Sequence, residues 1–186
     1  VMAEYGTDAL RFTLAAMASP GRDIKLSHER IEGYRNFGNK LWNAARFALE
    51  NIPDGFQHVD YKERELKVNV WILSRLHRCI GDVNSSLLEY RFDESANRLY
   101  QFVWHEFCDW YIEFSKPILK QKISTEKKHP QYDETVNTII DVLQCIVRLL
   151  HPFMPFLTEE LWSKLPRKPE EFEHVMVSPY PCLLYT

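Results

Sequence analysis

Gly33-Tyr34-Arg35-Asn36-Phe37-Gly38-Asn39-Lys40-Leu41-Trp42-Asn43-Ala44-Ala45-Arg46-Phe47 is the stretch on which the fold turns. Extended to its neighbours, it places Ile31, Tyr34, Gly38, Leu41, Trp42, Ala45 and Leu49 at intervals of three and four, the period of one α-helical face. Ser27 stands where an N-cap belongs, Glu29 in the first turn complements the helix dipole, and Pro53-Asp54-Gly55 closes the segment. On the opposite side Asn36, Lys40, Asn43 and Phe47 share a stripe flanked by Arg35, Asn39 and Arg46. An unstacked RNA strand requires such a surface: a ring on which a base can stack, amides for base edges, and Arg or Lys for phosphates. The same residues also suit a solvated outer face with Phe47 packed under a loop, and composition leaves both readings open.

Working outward, Thr7 caps a helix from Asp8 to Ala16, which stops at Ser19-Pro20-Gly21. Asp60 with Glu63 resembles a capping pair opening a third helix, with the stripe Leu66, Val70, Leu73, Leu76, Ile80, Val83 and Leu87 and an end near Tyr90. Asp93 caps a fourth, from Glu94 to about Ser115, with Leu99, Phe102, Val103, Phe107, Trp110 and Phe114 inward and Pro117 kinking or ending it. Lys116 to Gln131 reads as a helix end plus a lysine-rich loop. Asp133 or Thr135 starts a fifth helix that His151-Pro152 stops, and Thr158 caps a short sixth to about Leu165. Beyond Pro166 only Val175-Met176-Val177 is strand-like. Long helices joined by short turns predict an all-α antiparallel helix bundle.

The 186 residues suit one main domain, and 45% hydrophobic with 26% charged residues is the balance of a globular protein. No uncharged apolar run reaches the roughly 18–20 residues of a membrane span, so no membrane partner is expected. Val1-Met2-Ala3-Glu4-Tyr5 lacks the features of a secretory signal and does not begin with Met, so the chain reads as a piece of a longer cytoplasmic protein. Cys79, Cys108, Cys145 and Cys182 form no CxxC pair and read as reduced, buried thiols. The formal net charge of -3 is unevenly spread. Residues 19–47 carry six basic side chains against three acids, whereas Asp82 to Glu113 sets two arginines against seven acids. One face can therefore attract phosphate while another repels it or meets a protein neighbour.

Catalytic patterns are missing: no GxGxxG, no GxxxxGK[ST] and no GxSxG occurs. His105-Glu106-Phe107-Cys108-Asp109 begins like a zinc-protease helix but carries Asp109 where the second His belongs. Glu106, Asp109 and Glu113 share a side of the fourth helix; they could hold a metal or do acid–base work, but they read first as a solvated acidic face or as partners for arginines on neighbouring helices. No catalytic residue, metal ligand or cofactor is expected.

Several strings carry a resemblance. Tyr5-Gly6-Thr7-Asp8-Ala9-Leu10-Arg11-Phe12, Ser19-Pro20-Gly21-Arg22-Asp23-Ile24, and Asn39-Lys40-Leu41-Trp42-Asn43-Ala44-Ala45-Arg46-Phe47 resemble the region after the second catalytic motif of class I aminoacyl-tRNA synthetases, nearest to the valyl family of bacterial type. Trp71-Ile72-Leu73-Ser74-Arg75-Leu76, Phe107-Cys108-Asp109-Trp110-Tyr111-Ile112-Glu113 and His151-Pro152-Phe153-Met154-Pro155 continue it, in a form shared with isoleucyl and leucyl relatives. The resemblance implies the end of a stem-contact segment over residues 1–26, a helical anticodon-binding domain over 27–165 and an extension over 166–186. It implies tRNA, through the anticodon stem-loop of tRNA-Val, as partner, alongside the catalytic and editing domains of a monomeric parent. That parent would ligate valine to tRNA with ATP and magnesium. The HIGH and KMSKS motifs of the class are missing here, so the segment would be inactive alone. Arg22, Arg35, Asn36, Asn39, Lys40, Asn43, Arg46 and Phe47 are the candidate tRNA contacts. Gly38 stands where relatives often carry Cys or Ala, and Val68-Asn69-Val70 departs from an acidic-basic pair. The alternatives are the same domain of an isoleucyl or leucyl enzyme, and a helical protein-interaction module without RNA contact.

Overall fold

A computed structural model describes the chain apart from residues 20, 22, 54, 60–62, 121–129, 168–171 and 184–186, and apart from the side chain of residue 130. Its helices are α1 (Met2–Tyr5), α2 (Thr7–Met17), α3 (His28–Glu50), α4 (Lys67–Leu88), α5 (Phe92–Gln101), a π-helical segment (Phe102–Tyr111), α6 (Ile112–Lys120), α7 (Pro130–Leu150) and α8 (Pro155–Lys164). Among the described residues there is no strand, and Val175–Val177 is a 3₁₀ turn where the sequence suggests an extended piece. No helix is long and apolar enough to cross a membrane among those residues.

Four long elements make the bundle. α3 and the α5–α6 rod run side by side in the same direction, since Tyr34 meets Tyr100, Phe37 meets Trp104, and Lys40 meets Asp109. α4 runs against that rod: Asn69 meets Tyr111, Arg75 meets Glu106 and Arg98 meets Asp82. α7 fills the centre, with Ile139, Ile140, Val142, Leu143, Ile146 and Val147 all buried. The core is completed by Phe12, Phe37, Leu41, Ile72, Leu99, Phe102, Phe107 and Trp162. Burying each such side chain contributes about 1.5–3 kcal/mol, which is why the apolar stripes dictate the assembly. Phe12 packs against Tyr34, Phe37 and Phe153, so α2 shares this core. Described parts of the C-terminal stretch return to the bundle through Trp162 Nε1 donating to Phe172 O (3.1 Å) and Asn84 Nδ2 donating to Pro181 O (2.9 Å).

Ser27 is the N-cap of α3, its Oγ accepting the Arg30 N–H at 3.2 Å. Elsewhere helix starts obey tertiary contacts. Gly6, not Thr7, is the N-cap of α2, with φ 88°. Thr158 lies inside α8, where its hydroxyl donates to Met154 O at 2.8 Å; the first turn of α8 is instead capped by Asp8, which accepts the Leu157 N–H at 2.6 Å. Asp60 lies outside the described residues. α4 starts at Lys67, where Glu134 of α7 accepts the N–H groups of Glu65 (3.2 Å) and Leu66 (3.1 Å). A carboxylate at a helix N-terminus satisfies orphan donors and favours the dipole, and here it arrives from a different helix.

The fourth helix departs most from the α-helical expectation. Between Phe102 and Tyr111 the turns widen, and the Ile112 N–H reaches the Phe107 carbonyl five residues back. More residues per turn rotate the downstream side chains against the α-helical phase. Cys108, Tyr111, Ile112, Ser115 and Leu119 become buried, while Trp110 and Phe114, which the 3.6 period directs inward, face out. Pro117 does not end the rod, which continues to Lys120. In α4 the buried face is Asn69, Ile72, Leu76, Cys79, Ile80, Val83 and Ser86, and Val70 of the expected stripe is exposed. Cys79, Cys108 and Cys145 are buried as the sequence suggests, but Cys182 is exposed.

Candidate nucleic-acid interface

α3 is flanked by α8 on one side and by the π-helical segment on the other, and the part left open is a polar ridge. Asn36, Asn39, Asn43 and Arg46 are exposed on it. None of the three asparagine side chains hydrogen-bonds to the described residues, so their amides face solvent with both donor and acceptor available. Arg46 makes a loose ion pair with Glu50 at 3.8 Å, its side chain 65% exposed. The ridge can stand so close to the core because Ala44, Ala45 and Ala48 are small and buried on the reverse face. Gly38 admits α8: a Cβ there would meet Met154 Cε at 3.2 Å and Leu157 Cδ2 at 3.4 Å. Ala or Cys at this position therefore requires a small shift of the flexible Met154 tip.

The other candidates are placed differently. Lys40 is half-buried, pairs with Asp109, and holds its Nζ 4.1 Å from the centre of the Trp104 ring. Phe47 is half-buried, with Lys116 Nζ 5.8 Å from its ring centre. Arg35 leans away from the ridge centre, bonding Glu32 at 3.2 Å and lying 5.6 Å from the Tyr5 ring, with a buried Nε that has no partner. Arg35 and Asn39 border a cleft of about 360 Å³ between α3 and α8, lined also by Tyr5 and Phe156. Arg22 lies outside the described residues. The structure thus gathers Asn36, Asn39, Asn43 and Arg46 as accessible groups, with Lys40 and Phe47 along one flank and Arg35 along the other.

The acids of residues 82–113 are largely neutralised within the bundle. Glu106 accepts from Arg75 (2.5 Å) and Arg98 (3.3 Å), Asp82 from Arg98 (2.9 Å), and Asp109 and Glu113 pair with Lys40 and Lys116. These bonds raise the Arg75 guanidinium above its ordinary value, the Glu106 hydrogen bond being the main cause. The sequence imbalance of charge therefore does not translate into a repelling face beside the ridge. Burial pushes the thiols of Cys79, Cys108 and Cys145 up to about 12, so none is a nucleophile. Among the described residues no group of three His, Cys, Asp or Glu side chains could hold a metal ion.

Two features escape sequence reasoning. Trp110 and Phe114 form an exposed aromatic patch with Trp71, visible only once the π-helical turns are known. Asn69, a buried node, donates to Glu134 (2.8 Å) and accepts the hydroxyl of Tyr111 (2.8 Å), whose phenol burial pushes well up. The signal for Asn69 in the sequence is that Val68-Asn69-Val70 stands in place of an acidic-basic pair.

An all-helical bundle with an unpartnered amide ridge is the build of a recognition domain. Residues 69–185 match the family model described as the anticodon-binding domain of tRNA ligase, and the chain belongs to that family. It is similar to the valine–tRNA ligases of Legionella pneumophila (strain Lens), 48% identical over 95% of this chain, and of Rhizobium meliloti (strain 1021), 51% identical over 87%. A third, from Geobacter sulfurreducens, is 49% identical over 97% of this chain. The chain spans about a fifth of these relatives' length, 19%, 16% and 20% respectively. Among solved structures, the agnB2 LeuRS of Agrobacterium radiobacter K84 in a ternary complex with tRNA and LeuAMS shares the fold, at a TM-score of 0.67 and 18% identity. That match covers 97% of this chain and 20% of the LeuRS chain.

Proposed function

We propose that this chain binds the anticodon stem-loop of tRNA-Val as the recognition part of a longer valine–tRNA ligase. The observation that carries the reading is the row of free amides, Asn36, Asn39 and Asn43, beside Arg46 and the Lys40 flank. Asn can pair bidentately with adenine, and accessible cations can meet the loop phosphates. Valine codons begin with G and U, so every tRNA that decodes them carries A in the middle of its anticodon and C at the third position. The first bundle helix offers amides for such edges, and the relatives at 48–51% identity favour the valine enzyme over its isoleucyl and leucyl counterparts. The longer protein acts in the cytoplasm as a monomer and uses ATP with magnesium to activate valine. This chain's residues bind and orient the RNA while that chemistry proceeds elsewhere.

Fluorescence titration with labelled stem-loops carrying valine, isoleucine and leucine anticodons, at low and moderate salt, tests the reading. The valine loop binds tightest, and binding weakens as salt rises because neutralised phosphates release counterions. Equal affinity for all three loops removes the valine assignment, and no binding at either salt removes the RNA role in favour of a protein-interaction module.

A further inference from the structure

Resting on the proposed RNA-binding role, we infer that Trp110 and Phe114, backed by Trp71, form a stacking platform for an unpaired base of the same RNA loop. Trp110 is 57% exposed and Phe114 48%, their ring centres 5.6 Å apart at 32°. Phe114 meets Trp71 edge-on at 6.4 Å, which holds the pair from behind. With Val68 and Lys67, Trp71 and Phe114 line an open groove of about 490 Å³. The charged member of that lining is a cation.

These rings are exposed because of the π-helical turns. A regular α-helix through Val103 and Phe107 would carry Trp110 and Phe114 into the core, and the widened turns put Cys108, Tyr111 and Ile112 there in their place. The chain thereby forgoes burying two of its larger side chains, a loss a ligand would recover. π-Helical insertions recur at functional sites.

Position and charge select the occupant. Asp109, bonded to Lys40 of α3, immediately precedes Trp110; Lys116, two residues after Phe114, lies over Phe47 of α3. The patch therefore shares a rod with the side chains that hold Lys40 and lie over Phe47, and it sits on the side of that rod toward α4. Phe47, the ring that the sequence offers for stacking, already has a cation near its face, whereas Trp110 and Phe114 present open ring surface. The neighbouring acids Asp109 and Glu113 are paired with Lys40 and Lys116, which removes the repulsion a nucleotide would meet. Stacking on an aromatic side chain accepts any base, so the platform contributes affinity and splays the loop while the α3 amides discriminate.

The test uses the 186-residue chain and an RNA hairpin with the valine anticodon, carrying 2-aminopurine at one loop position at a time. Stacking on an indole quenches the probe, so one position is expected to darken on binding. Trp110→Leu, which keeps apolar bulk but has no π face, removes that quench and weakens binding roughly tenfold. Trp110→Phe restores the affinity but not the indole quench, and thermal melts of the variants match the parent because the ring is half exposed. Quench and affinity unchanged in both Trp110→Leu and Phe114→Leu, while Asn43→Ala still weakens binding, overturn the platform and leave the α3 reading standing. Self-association of the parent chain that Trp110→Leu abolishes, with RNA binding intact, overturns it in favour of a protein contact. A hairpin that does not bind the parent chain overturns both proposals.

Discussion

Replacing Glu134 with alanine removes a carboxylate, 5% exposed, that holds three donors: the Glu65 and Leu66 N–H groups at 3.2 and 3.1 Å and Asn69 Nδ2 at 2.8 Å. Hydrogen bonds to a charged group contribute about 1.5–3 kcal/mol each, but the three losses do not add in full. Glu65 and Leu66 are not buried, so water can reach their N–H groups in the variant, and the desolvation cost of the carboxylate disappears with it. The loss that water cannot make good is at the Asn69 amide, fully buried and also tied to Tyr111. The net loss is therefore about 2–4 kcal/mol, which for a chain of this size lowers Tm by roughly 4–16 °C. Glu134→Gln loses less, since one oxygen remains to accept. Circular dichroism melts read the shift, and an RNA titration well below Tm should be unaffected because none of these groups belongs to the amide ridge of α3. A Glu134→Ala variant that melts within about 2 °C of the parent would refute the view that α7 builds the start of α4.

Four further outcomes are expected. Arg46→Ala weakens tRNA binding and flattens its salt dependence by up to roughly one unit, whereas Asp109→Asn frees Lys40 and makes binding tighter and more salt-sensitive; binding isotherms at several salt concentrations show both. With a thiol reagent near pH 8, Cys182 reacts in the folded chain while Cys79, Cys108 and Cys145, buried and raised to about 12, react only after denaturant is added. The chain alone gives no valine-dependent exchange of pyrophosphate into ATP, and any signal above background contradicts its reading as a recognition part.

The elements that the sequence reveals best are those whose signals are local. Ser27 caps α3 because its hydroxyl needs only a backbone N–H three residues on, and the apolar period of α3 needs only its own face. Where another part of the chain decides, local reading fails. Asp8 caps α8 across 149 positions and Glu134 caps α4 across 68, so these helices begin away from the local signals at Thr158 and at Asp60 with Glu63. The phase of the fourth helix fails for a different reason: nothing in a 3.6-residue period announces wider turns, and Trp110 and Phe114 are apolar enough to pass as core. For the candidate surface, periodicity locates Asn36, Asn39, Asn43 and Arg46 outside, but it cannot show that Asp109 holds Lys40 or that Lys116 covers Phe47. Those partners lie on a helix whose register the sequence misplaces.

The central claim is that α3 reads bases, and Asn43 is one of its three free amides. A cycle of two proteins and two RNAs isolates the contact: parent and Asn43→Ala, each titrated by fluorescence with a valine-anticodon stem-loop and with one whose middle A is changed to G. A lost bidentate amide–adenine pair is worth about 1.4 kcal/mol, so Asn43→Ala weakens binding to the valine loop roughly tenfold. The loss shrinks on the G loop, where the amide has little to pair with. Equal losses on the two RNAs would contradict the account, placing Asn43 on the RNA backbone or in support of the helix and moving base reading to another surface.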